Sequence, residues 1–273
     1  MFLRKESPVK LAFRLTVAAL LTFMLTTTTT IRAQAPAVAA APVSVAQQAI
    51  AQAASQGRYS FIVFYRDDND LSRAMAQVVN ETAAKRPDFG VPTFVQITNP
   101  AEQAIVKQFD VSRAPMPMTL VTAPNGAITG VFAQRVTDQQ LAETFVTPAM
   151  SHCMKSMQEG KVVFLCLQTT PQLLVPQGVA EFLADPQFKD RANVVPVQIT
   201  DAAEGQLLME LELGSAPNQP NTVFFAPPGV MVGKFGLAST KAEIAAALHK
   251  AGKCCEDPNC KHGHAAKPGG NVR

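Results

Sequence analysis

Ala114-Pro115-Met116-Pro117-Met118-Thr119-Leu120-Val121-Thr122-Ala123-Pro124-Asn125-Gly126 decides the fold, because a later stretch repeats it. That stretch is Ala216-Pro217-Asn218-Gln219-Pro220-Asn221-Thr222-Val223-Phe224-Phe225-Ala226-Pro227-Pro228-Gly229. Each has an Ala-Pro pair, a second proline heading a short apolar strand, and an Ala-Pro-x-Gly turn. Proline donates no hydrogen bond to a sheet ladder, so at a buried strand it belongs at the first residue, in some folds across a cis bond that bends the chain. The arrangement marks a fold, and the chain carries it twice.

The repetition spreads outward from there. Val95-Gln96-Ile97-Thr98 recurs as Val197-Gln198-Ile199-Thr200, and each is followed by an Ala-Glu pair, Ala101-Glu102 and Ala203-Glu204. Gly57 matches Gly160, Gly130-Val131-Phe132 matches Gly233-Lys234-Phe235, and Thr137-x-x-Gln140 matches Thr240-x-x-Glu243. The offset is 102 or 103 throughout, with one residue gained between the Ala-Pro pair and the strand proline. Solenoid repeats are far shorter and need several units, so a period of this length predicts two duplicated domains.

The chain's 273 residues are enough for two such domains, each with its own core. A hydrophobic content of 47% with 16% charged residues is that of a globular protein. The formal charge of +3 comes from the N-terminal segment, where Arg4, Lys5, Lys10, Arg14 and Arg32 face Glu6 alone. Setting those aside leaves 19 basic and 20 acidic residues, a balance that offers no nucleic-acid-binding surface.

Residues 1–39 read as an export signal, with a charged start, an apolar run from Leu15 to Leu25, and small-x-small cleavage patterns at Ala33-Gln34-Ala35 and Ala37-Val38-Ala39. The second pattern is preferred, since cutting after Ala35 would leave Pro36 first. An uncleaved membrane anchor is the alternative, although the apolar run is short for a bilayer span. The expectation is an exported protein, periplasmic or extracellular, with no stable membrane insertion after cleavage.

Taken in order, the first copy predicts a helix from Ser44 to Gln56 ended by Gly57, a buried strand Tyr59 to Tyr65, and a helix with Leu71, Met75, Val78, Val79 and Ala83 on one face. A strand from Thr93 to Ile97, a helix opened by Pro100, a hairpin through Asn125-Gly126, and a closing helix boxed by Thr137 and Gln140 follow. The second copy predicts a helix to Met157, strand Val162 to Leu167, helix Pro171 to Ala184, strand Val194 to Ile199, and helix Ala202 to Leu213. Hairpin strands Thr222 to Ala226 and Val230 to Phe235 lead to a helix capped by Thr240 and Glu243 and ended by Gly252.

This order, with a proline opening the first hairpin strand, resembles the thioredoxin fold. The resemblance implies an α/β architecture of two tandem thioredoxin-like domains, residues 44–147 and 149–252, each a mixed central sheet flanked by helices. In thioredoxins a Cys-x-x-Cys opens the helix after the first central strand and faces the cis-proline. The matching positions here are Asn69-Asp70-Leu71-Ser72 and Gln172-Leu173-Leu174-Val175, and neither has a cysteine. Thiol-disulfide exchange needs a thiolate, which these side chains cannot supply. The resemblance therefore implies a fold kept without its usual chemistry, with Asn69, Asp70, Leu71, Ser72, Pro117 and Pro220 as the candidate binding residues.

Asp67, Asp68 and Asp70 lack the spacing of a calcium loop and read as a solvated turn at a helix N-terminus. Cys166 reads as a small core residue in its strand, and Cys153 beside His152 as a poor nucleophile, because adjacent helical residues do not face each other. The tail, residues 253–273, holds Cys254, Cys255, Cys260, His262 and His264 around an Asp257-Pro258-Asn259 turn. Those groups suit Zn²⁺ or Cu(I), although the spacing matches no usual zinc-finger pattern. Oxidation of Cys260 with Cys254 or Cys255 is the competing reading, and a free tail the third. Three functions stand against one another: a non-catalytic binder of an unidentified protein or peptide partner, a metal-binding or metal-delivery protein, and a thiol-disulfide oxidoreductase with displaced cysteines.

Overall fold

The computed structural model describes residues 44–170, 174–213 and 221–253. The first repeat is built from α1 (Val45–Ser55), β1 (Tyr59–Tyr65), α2 (Asp70–Lys85), β2 (Gly90–Gln96), α3 (Gln103–Gln108), β3 (Met118–Thr122), β4 (Ile128–Ala133) and α4 (Asp138–Ala142). The second runs α5 (Pro148–Gln158), β5 (Val162–Gln168), α6 (Gln177–Ala184), β6 (Ala192–Gln198), α7 (Gly205–Glu210), β7 (Thr222–Ala226), β8 (Val230–Phe235) and α8 (Lys241–Lys253).

Each repeat holds one four-stranded sheet, ordered β2-β1-β3-β4 and β6-β5-β7-β8. The first two strands of each repeat pair in parallel, which requires the crossover that α2 and α6 supply, and the remaining pairings are antiparallel. Each repeat is thioredoxin-like in strand order and direction.

The central strands are apolar on both faces because helices cover both. Tyr59, Phe61 and Val63 of β1 join Met75 and Val79 of α2 and Leu141 of α4, whereas Ile62 and Phe64 join Ala46 of α1 and Ile105 and Val106 of α3. The second repeat follows suit. Val163 and Leu165 pack with Cys153 and Leu207, and Phe164 and Cys166 pack with Phe182, Phe224 and Ile244. Phe164 and Phe224 stack with ring centroids 4.3 Å apart.

The duplication extends to single hydrogen bonds. After α1, Gly57 N–H donates to Ala54 O and Arg58 N–H to Ala53 O; after α5, Gly160 donates to Met157 O and Lys161 to Ser156 O. Both glycines have positive φ, 70° and 78°, the left-handed conformation this helix ending requires. The third helix of each repeat ends the same way on a non-glycine residue, Asp110 and Glu212, both at φ 50°. The recurrent Ala-Glu pair also has a structural role, since Glu204 is buried and its Oε1 accepts from Ala149 N–H, 2.7 Å away, in the first turn of α5. Glu102 holds the matching buried position.

The repeats touch across the β4 edge. Gln158 at the end of α5 accepts from Ile128 N–H at 2.9 Å and donates to Ile128 O at 2.7 Å, and Met154 packs against the first core. Tyr59 Oη donates to Val146 O at 2.9 Å, tying β1 to the segment that leads into α5.

Several expected boundaries change, the strands expected over Thr93 to Ile97 and Val194 to Ile199 being found at Gly90–Gln96 and Ala192–Gln198. The helix expected from Pro171 begins at Gln177, because Val175 precedes Pro176 and a residue before proline is disfavoured in the α region. The helices expected from Pro100 and Ala202 each start with a 3-10 turn, Pro100–Glu102 and Ala202–Glu204, before α3 and α7. The second of these ends short of Leu213, at Glu210, where Glu212 turns left-handed. Gly252 does not end α8, which continues through Lys253.

Candidate functional site

The first turn of α2 organises the candidate site. Asn69 is its N-cap, in extended conformation, and its Oδ1 accepts from Ser72 N–H at 3.0 Å. Ser72 is buried, and its Oγ donates to Asp67 O at 2.8 Å, folding the β1–α2 loop against the helix. Arg73 clasps the loop from outside, 3.0 Å from Asp68 and 2.7 Å from Asp70. The acidic cluster is thus partnered by a guanidinium that the sequence reading passed over; the i,i+3 spacing of Asp70 and Arg73 was the available signal.

Three depressions surround this turn. Arg66, Asp67, Asn69 and Ser72 face Met116 and Pro117 across a cleft of about 260 Å³. The Met116-Pro117 bond is cis and precedes β3. Behind the helix, Leu71, Ala74, Met75 and Val78 form an apolar trough of about 540 Å³ against the Gln134–Thr137 segment, with Asp70 at its rim. On the third side, Val63, Tyr65, Ser72, Arg73 and Phe94 border a hollow of about 270 Å³. Asn69, Ser72 and Pro117 therefore come together in one cleft, and Asp70 and Leu71 line the neighbouring trough.

The second repeat does not reproduce this turn. Leu174 and Val175, at the positions of Leu71 and Ser72, precede α6 and are not helical. Gln172, Leu173 and Pro220 lie outside the described residues, as do residues 1–39 and Cys254, Cys255, Cys260, His262 and His264 of the tail. Among the described residues no cluster of three or more His, Cys, Asp or Glu side chains is placed to hold a metal ion.

The two described cysteines are free and buried. Burial, with smaller contributions from the Glu204 carboxylate and Cys166, pushes the Cys153 thiol up to about 12. Burial pushes Cys166 up to about 11, against a small opposing effect from the Thr222 hydroxyl, which bonds its sulfur at 3.7 Å. Both thiols are protonated at neutral pH, and His152 is exposed while Cys153 faces the core.

No family model matches the chain, and no curated protein does. Solved structures do. Thioredoxin O2 from Arabidopsis thaliana is 18% identical over 37% of this chain and 85% of its own, with a TM-score of 0.30. The first two thioredoxin domains of Saccharomyces cerevisiae Eps1p are 11% identical over 75% of this chain and 97% of theirs, at 0.28. The N-terminal domain of the alkylhydroperoxide reductase AhpF from Enterococcus faecalis is 15% identical over 74% and 96%, at 0.27. Likenesses this distant carry no functional argument, and the fold assignment rests on the strand order and pairing described above.

Proposed function

We propose that this chain is an exported, non-catalytic tandem thioredoxin-like protein that binds an extended segment of a partner protein or peptide at the head of α2. One observation carries the reading: at the helix start, where a thiolate would stand, Asn69 and Ser72 complete the helix cap instead, beside an open cleft reaching Pro117. The polar wall of Arg66, Asp67 and Asn69 suits main-chain groups, and the trough of Leu71, Met75 and Val78 suits apolar side chains. The two high-pKa buried thiols support a role without thiol exchange. Export enters this proposal through the leader-like residues 1–39.

The test pairs two assays. Insulin reduction by the purified protein should not exceed a free-thiol control, and a peptide array should yield extended sequences whose binding is lost in a Leu71→Asp, Val78→Asp variant. Turnover above the control, or peptide binding indifferent to that variant, would overturn the proposal.

A further inference from the structure

Each four-stranded sheet has two outer strands, and three of the four carry a feature that blocks further pairing. β2 contains Pro92 and β6 contains Pro196, and a proline, lacking an N–H, blunts an outer strand. β4 is covered by α5, where the Gln158 side chain binds both main-chain groups of Ile128 and Met154 packs alongside. The fourth is β8. Met231 pairs with Phe225 at the register at which Ile128 pairs with Thr122, beside a bulge at the same place in both hairpins. The main-chain groups of Met231 therefore point outward as those of Ile128 do, and among the described residues no partner takes them up. Val230 and Met231 are 48% and 46% exposed. A lysine on an outer strand discourages pairing, but Lys234 is bound 2.9 Å from Glu212, just past α7, and its side chain is 25% exposed.

We infer that the outer edge of β8 binds the β8 edge of a second copy of this chain, the two strands running antiparallel about a two-fold axis and joining two four-stranded sheets into one. The first repeat presents this edge to α5 of the second, and duplication presents the same edge once more at β8. By the chain's own pattern, three elements of a second copy are candidates to meet it. Its α5 is engaged by its own β4. Its α1 holds the place of α5 in the other repeat, but Ala51 and Ser55 stand where Met154 and Gln158 do, and the Ser55 hydroxyl is turned back to Gln52 O. Neither the packing group nor the amide that binds main chain is present on α1. That leaves its β8, whose outward N–H and C=O groups match those of the first copy, and a self-complementary edge closes under two-fold symmetry. The chain's own residues 254–273 are poor in strand-forming residues and contain Pro258, Pro268 and Gly269-Gly270, which disfavours them as the covering strand. The inference does not depend on the binding role proposed for the head of α2.

The experiment uses the full chain under reducing conditions, so that no cysteine links two copies. Sedimentation velocity is paired with hydrogen exchange resolved to single amides, at low and at high protein concentration. A dimer is expected, with the Met231 amide protected about tenfold or more at high concentration relative to low, and the Ile128 amide protected alike at both. Met231→Pro removes the outward N–H while leaving the pairing with β7, and should weaken dimerisation by about tenfold or more. Met231→Lys, which places a charge on the edge without touching the main chain, is expected to act in the same direction. Where both variants fail to fold, the exchange on the unaltered protein decides. A monomer at every concentration overturns the inference, whether its Met231 amide is exposed or is protected by the chain's own residues. A dimer whose Met231 amide gains no protection, or one that the variants leave intact, puts the contact elsewhere and overturns it equally.

Discussion

Asn69 and Ser72 hold each other at the head of α2, the Asn69 side chain capping the Ser72 amide at 3.0 Å. These are the first and last of the four positions that carry cysteines in thioredoxins. A pair that would exchange electrons in a redox protein here fixes the start of a helix and shapes the wall of a cleft.

Replacing the cap should show this directly. Asn69→Ala removes the side-chain acceptor from a helix N-terminus and is expected to cost about 1 kcal/mol, whereas Asn69→Asp keeps the acceptor and should cost far less. Urea unfolding of the two variants measures the difference. Equal stability of Asn69→Ala and the parent would mean that the cap contributes nothing.

The contact between repeats depends on Gln158. Its amide makes both bonds to Ile128 at the β4 edge, so Gln158→Leu is expected to destabilise by about 1 kcal/mol and loosen the coupling of the repeats. The expected signature is a broadened or split urea transition, followed separately through probes in each repeat. A single, unshifted transition would show that the repeats do not use this contact.

Two carboxylates set part of the acid response. Lys85, then the Thr82 hydroxyl, hold Asp138 below the ordinary carboxylate range, and Lys241, then the Gln187 amide, do the same for Asp185. A depressed folded-state pKa adds stability that is present above the unfolded value and lost as pH falls through the folded one. Asp138→Asn and Asp185→Asn should each lower stability at neutral and alkaline pH and so flatten the acid side of a stability–pH curve, with little change at its most acid end. Unaltered acid sensitivity would remove these pairs from the account.

Much of this architecture is legible in the sequence, because duplication writes each signal twice. The hairpin strands Thr222–Ala226 and Val230–Phe235 fall where the apolar runs and the intervening turn place them. Ser44, Thr137 and Gln140 cap their helices as local hydrogen-bonding residues do, and Gly57 and Gly160 end theirs left-handed. The start of α6 is less legible: Leu174-Val175 is apolar enough to suggest helix, and its departure depends on Pro176 and on the side-chain amide of Gln168, six residues earlier. Gln158 and Gln168 carry no local pattern at all. A glutamine that binds main chain in three dimensions reads in sequence like one exposed to solvent.

The head of α2 as the binding surface is tested most directly by mapping backbone amide shifts while an array-selected peptide is titrated into the protein. The account predicts saturable changes at Asn69 to Ser72, at Met116 and Met118, and along Gln134 to Thr137. Shifts concentrated in the second repeat, with the head of α2 unmoved, would contradict it.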